Sequence, residues 1–168
     1  MTLRVIGSSV CVMALGTAIA VSSTSAAPAA SPKCPTASLV IWLNTQGGGA
    51  AAGSSYYKLE FTNQSGHACT LTGFPGVSAV DLHGHQLGSP ARKNPSSTRA
   101  VRLANGATAA AVLQIVVAGN FPQSACHRAP AAALRVYPPN QTASKLVPFP
   151  FDACSRPGPV FLSVKTVA

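Results

Sequence analysis

The chain is 168 residues long, and 12 Lys or Arg stand against 3 Asp or Glu, a formal net charge of +9 at pH 7. With only Glu60, Asp81 and Asp152 as acids, a pair of carboxylates converging on one cleft, as glycoside hydrolysis needs, is not expected. So basic a surface favours anionic neighbours, although nucleic acid would also require stacking aromatics among the basic residues, and these are missing.

The first residues carry one charge, Arg4, ahead of a short apolar run over Val10–Val21 and then a series of small residues. This is the order of a secretory signal, with Thr24 and Ala26 at the minus-three and minus-one positions of a cleavage after Ala26, and Ala29 as a nearby second choice. The run is shorter than the roughly 20 residues of a membrane span, so removal is expected and the mature form has no transmembrane segment. Ser31-Pro32-Lys33 before Cys34 lacks the aliphatic approach to a lipidated cysteine. Residues 1–26 are therefore read as an export signal, 27–33 as a short linker and 34–168 as one domain of a size to hold a single core. The expected location is secreted or in the extracytoplasmic cell envelope.

Beyond the linker, apolar residues alternate with period two and no helical stripe is present. Leu39–Leu43 is apolar on both faces, which suits a short strand near a sheet edge. Gln46–Ser55, with its run of glycines and alanines, reads as a loop. Tyr56–Thr62 is a half-buried strand with Tyr57, Leu59 and Phe61 on one face and Lys58 and Glu60 on the other, Glu60 being placed to pair with Lys58 or with a base across the strand. His83–Ser97 reads as a second long loop. Thr98–Ala104 and Ala107–Val117 flank Asn105-Gly106, a pair suited to a type I′ turn, and are expected to form a hairpin. Further strands are Ala133–Tyr137, stopped by Pro138-Pro139, then Lys145–Val147 and Val160–Lys165. Many short strands between Gly- and Pro-rich turns make the fold all-β, a sandwich or barrel of antiparallel sheet.

The expected signal itself contains Cys11; downstream of it, Cys34, Cys69, Cys126 and Cys154 form an even set in a chain expected to leave the cytoplasm for an oxidising compartment, where thiols form structural disulfides. If the strand after Cys34 runs antiparallel to the one ending at Thr62, the entry of the first lies beside the exit of the second, where Cys69 follows. The same reasoning sets Cys154, after the Lys145 strand, beside Cys126, ahead of the Leu134 strand. The expected bonds are Cys34–Cys69 and Cys126–Cys154.

Several phrases, in order, resemble the secreted actinobacterial family known as domain of unknown function 4232. They are Ala52-Gly53, Tyr57-Lys58-Leu59-Glu60-Phe61-Thr62-Asn63, Gly66, Cys69-Thr70-Leu71, Gly73-Phe74-Pro75-Gly76-Val77-Ser78, Asp81 and Gly84. The likeness continues through Leu103, Gly106, Ala107 and Leu134-Arg135-Val136-Tyr137-Pro138-Pro139 to Cys154. The resemblance implies an extracytoplasmic, immunoglobulin-like β-sandwich, sometimes tethered to the envelope, with no established activity. Asn105 stands where a proline is common, and the resemblance supplies no site residues.

No Gly-x-Ser-x-Gly elbow, phosphate-cradling glycine loop or His-Glu-x-x-His motif is present, so no catalytic residue and no cofactor is expected. In Asp81-Leu82-His83-Gly84-His85, His83 and His85 alternate as strand-borne imidazole ligands do. Asp81 and Gly84 are turn formers, however, and the simpler reading makes both histidines exposed turn residues without a metal. Arg92, Lys93, Arg99 and Arg102 are the basic cluster that would bind an anionic polymer by salt-sensitive contacts, the simpler reading being a solvated face. Asn63-Gln64-Ser65 and Asn140-Gln141-Thr142 match the glycosylation acceptor pattern and carry no expectation here. The leading expectation is a monomeric, non-catalytic protein whose partner is an anionic cell-wall polymer or an envelope protein. The alternative is a small secreted effector such as a protease inhibitor or ligand carrier.

Overall fold

Strict alternation of burial creates the core. In a computed structural model that describes residues 1–2 and 31–168, Leu59 and Phe61 from one strand and Ala109, Ala111, Leu113 and Ile115 from another are buried, while the residues between them are not. Residues 3–30, which hold most of the segment read as an export signal and the first part of the expected linker, lie outside the described residues. The strands are β1 (Leu39–Ala51), β2 (Ser54–Asn63), β3 (Cys69–Thr72), β4 (Gly76–Val80), β5 (Gln86–Leu87), β6 (Arg92–Lys93), β7 (Ala100–Leu103), β8 (Thr108–Val116), β9 (Arg128–Tyr137), β10 (Lys145–Cys154) and β11 (Leu162–Val164). One helical turn, α1 (Gln123–Cys126), precedes β9.

A five-stranded sheet of order β1-β2-β8-β11-β6 faces a four-stranded sheet of order β10-β9-β4-β5, and β3 pairs with β7 separately. All pairings are antiparallel except β11 with β6. Reading β1, β2 and β8 as A, B and E, and β5, β4, β9 and β10 as C′, C, F and G, the chain follows an immunoglobulin-type Greek key. The place beside E that strand D usually fills is taken by β11. Leu39, Phe61, Leu113, Leu162 and Val164 from one sheet, Val77, Leu134, Val136 and Val147 from the other, and Phe161 belong to a single buried cluster. At the open side, the Phe149 ring meets Tyr57 edge-on at 5.1 Å, joining β10 to β2.

Both expected disulfides are present. Cys34–Cys69 spans Cα atoms 4.8 Å apart, and Cys126–Cys154 spans 4.5 Å. The register explains them as anticipated: Leu39 faces Asn63 at one end of the β1–β2 ladder, and Cys154 faces Arg128 at the end of the β9–β10 ladder.

Two turns exchange roles relative to expectation. Asn105-Gly106 does form a turn, with the Ala107 N–H donating to Ala104 O at 3.1 Å. Only Gly106 has positive φ (81°), as in a type II rather than a type I′ turn. The strands it joins do not pair: β7 goes to β3, while β8 lies between β2 and β11. The tight hairpin falls instead in the segment read as a loop. β1 continues to Ala51, opposite Ser54, across Ala52 (φ 46°) and Gly53 (φ 76°), the pair of positive φ values that type I′ requires. His83–Ser97 likewise contains two short strands, β5 and β6.

Candidate functional site

The outward face of the five-stranded sheet is covered by no other layer among the described residues. On β2, inward Tyr57, Leu59 and Phe61 leave Tyr56, Lys58 and Glu60 pointing out, and on β8 the outward set is Ala110, Val112, Gln114 and Val116. Cross-strand register assembles these into rows. One row runs from Asn44 through Lys58 to Val112, with the Lys165 N–H donating to Val112 O at 2.9 Å on the far side. The next runs from Tyr56 through Gln114 and Ser163 to Arg92.

Four exposed cations, Lys58, Arg92, Arg99 and Lys165, therefore share this face. Strand spacing separates Lys58 from Lys165 by roughly 10 Å and Arg92 from Lys165 by roughly 8 Å, measured at Cα. Arg92, Gln114 and Ser163 line a hollow of about 420 Å³, and Arg99 and Lys165 line a second of about 430 Å³. Val40, Trp42 and Val112 add half-exposed apolar surface to the same face. The single acid there, Glu60, does not pair with Lys58 as its spacing suggested; its Oε1 accepts the Asn44 amide at 2.9 Å. Among the described residues the one ion pair is between Asp81 and His85, so none of the four cations is neutralised by an acid.

The basic cluster read from the sequence is thus divided. Arg92 and Arg99 belong to the outer face. Lys93, one residue on from Arg92, points the other way and holds its Nζ 5.8 Å from the Phe74 ring centroid. Arg102 lies on β7, away from this sheet, and its Nε donates to Ser31 Oγ at 3.0 Å. Lys58 and Lys165 complete the patch. Alternation placed both on an outward face, but no local signal says that β11 lies beside β8.

A second group gathers at the β4–β5 turn. The Gly84 N–H donates to Asp81 O at 3.1 Å, and Gly84 has positive φ (81°), so the expected turn forms. Asp81 Oδ1 accepts the N–H groups of His83 (2.9 Å) and His85 (2.8 Å), and Oδ2 lies 3.2 Å from His85 Nδ1. Partial desolvation pushes the Asp81 carboxyl up, but the His85 N–H, the His85 ring and the His83 N–H together outweigh it and hold the carboxyl below its ordinary value. The two imidazoles stack with centroids 5.9 Å apart.

The family described as Domain of unknown function (DUF4232) matches residues 34–167, a span that takes in every strand and both disulfides. The chain belongs to this family. No curated protein and no solved structure matches it. The family's description assigns no activity, so the chemistry of the exposed side chains carries the functional argument. No helix among the described residues is long and apolar enough to cross a membrane.

Proposed function

We propose that this protein is an exported, non-catalytic β-sandwich that binds anionic polymers of the cell envelope through the outer face of its five-stranded sheet. The supporting observation is the grouping of Lys58, Arg92, Arg99 and Lys165 on one uncovered face where the only acid, Glu60, is engaged by Asn44. A polyanion repeats its charge along its length, so four cations spaced by roughly 8–10 Å engage several groups at once and release the counterions around them. The half-exposed Trp42 and Val112 offer apolar contact to the polymer backbone between charges.

Such binding is Coulombic at an exposed surface and is screened within about 10 Å at 0.1 M salt. The oxidised protein should sediment with purified cell-wall fractions at low ionic strength and be released as salt is raised. Lys58→Glu combined with Lys165→Glu should abolish sedimentation. Lys93→Glu combined with Arg102→Glu changes the net charge by the same amount but lies off the face, and should retain most of it. Equal losses from both pairs would reduce the effect to net charge and defeat the assignment of the face. Export is tested separately by the mass of protein recovered from culture medium, which should begin at Ala27.

A further inference from the structure

We propose that the β4–β5 turn is a binding site for one divalent transition-metal ion of the zinc type, with Asp81, His83 and His85 as its protein ligands. One donor atom from each of the three residues lies within 4.8 Å of the others. The turn itself needs Asp81, to accept backbone N–H groups, and Gly84, to adopt positive φ; it does not need two imidazoles. Yet two of the four histidines and one of the three acids in the chain meet here.

The geometry is close to what coordination requires. Ligands about 2.0–2.1 Å from a tetrahedral ion lie about 3.3–3.4 Å from one another, and Asp81 Oδ2 and His85 Nδ1 are 3.2 Å apart. The ion would replace the hydrogen now shared between them. Asp81 is already oriented for this, because both backbone N–H bonds go to Oδ1 and leave Oδ2 to the ligand side. His83 is exposed at the turn's tip, so rotation of its side chain closes the remaining gap without moving the backbone. Two imidazoles with one carboxylate suit zinc, nickel or copper and not magnesium or calcium.

Three protein ligands leave one coordination position open. Asp81 and His83 also border a mainly apolar hollow of about 490 Å³ walled by Pro130, Ala131 and Pro150, so a water or small ligand on the ion would meet that hollow. Among the described residues, Arg135 is the one cation bonded to the turn: its Nη2 donates to Gly84 O at 2.6 Å, which stiffens the backbone while its charge opposes the ion.

Zinc chloride titrated into the oxidised protein by calorimetry should show one saturable site, and calcium chloride none. His83→Ala and His85→Ala should each weaken zinc binding at least roughly tenfold. Asp81→Asn keeps an oxygen for the two backbone N–H groups but loses the anionic ligand, so it should weaken binding equally while the backbone amide spectrum stays native. Zinc should shift the ring nitrogen signals of His83 and His85 and leave those of His67 and His127 in place. Absence of zinc binding, or binding that survives His83→Ala and His85→Ala but is lost in the His67→Ala and His127→Ala double variant, overturns the proposal.

Discussion

Asn63 is fully buried, and its amide answers backbone groups from two other segments of chain. Nδ2 faces the carbonyls of His67 (2.8 Å), Leu103 (3.1 Å) and Ala104 (3.2 Å), while Oδ1 accepts the Ser65 N–H at 3.0 Å. The end of β2 is thereby fastened both to the loop before β3 and to the β7–β8 turn. Asn63→Ala would remove all four bonds; Ala104 O would keep the Ala107 N–H and His67 O the Ser65 hydroxyl, but Leu103 O and the Ser65 N–H would lose this partner. An expected loss of about 2 kcal/mol should appear as a lower denaturant midpoint with an unchanged slope. The same burial removes Asn63 as a glycan acceptor once the domain has folded. Ala52 presents the opposite case, a residue whose side chain opposes its backbone. An L-residue with a Cβ at φ 46° is disfavoured, so Ala52→Gly should stabilise the protein by about 1 kcal/mol in the same assay. Its neighbour admits no such change: a Cβ at Gly53 (φ 76°) would run into the Asn120 amide, which donates to Gly53 O at 2.9 Å.

At the scale of elements, β1 and β10 are the exposed sheet edges that meet on one side of the sandwich. β10 carries Pro148 and Pro150 around a register shift, which interrupts the row of edge N–H groups that could recruit another chain. Lys145 ties the two edges together, its Nζ donating to Leu39 O at 2.5 Å and Ala37 O at 3.3 Å. Lys145→Ala should cost about 1–2 kcal/mol and speed amide exchange at the start of β1 before that of β2 or β8. What could be read from the chain divides at this scale. Alternation in Tyr56–Thr62 identified β2 and its buried face, because one side of the strand is packed and the other is not. Asn105-Gly106 was misleading because a turn signal is local, whereas the partners of β7 and β8 are chosen by the Greek key. The same limit separated the basic cluster: Arg92 and Lys93 are adjacent in sequence but alternate across β6, and Lys165 joins Arg92 only because β11 fills the place next to β8. His83 and His85 were readable as a pair, but their closeness to the Asp81 carboxylate follows from the turn that folds them back.

Over the whole molecule, the two disulfides hold opposite ends of the sandwich. Cys34–Cys69 lies near the end where Lys145 meets Leu39, and Cys126–Cys154 closes the far end of β10. They close loops with sequence separations of 35 and 28 residues, and the chain-entropy argument gives each about 3–4 kcal/mol through the unfolded state. All four disulfide-bonded cysteines are at 0 % exposure. Thiol–disulfide exchange requires an attacking thiolate to reach sulfur, so burial makes reduction depend on opening of the domain. The native protein in dithiothreitol should therefore show no new thiols by mass-tagged alkylation over a period in which the protein in denaturant is fully reduced. Once reduced, it should unfold at a much lower denaturant concentration, because together the two bonds contribute as much as the total stability of many small domains. If one bond is reduced in the absence of denaturant, its end of the sandwich opens independently of the other; tagging at Cys34 and Cys69 or at Cys126 and Cys154 would show which end gives way first.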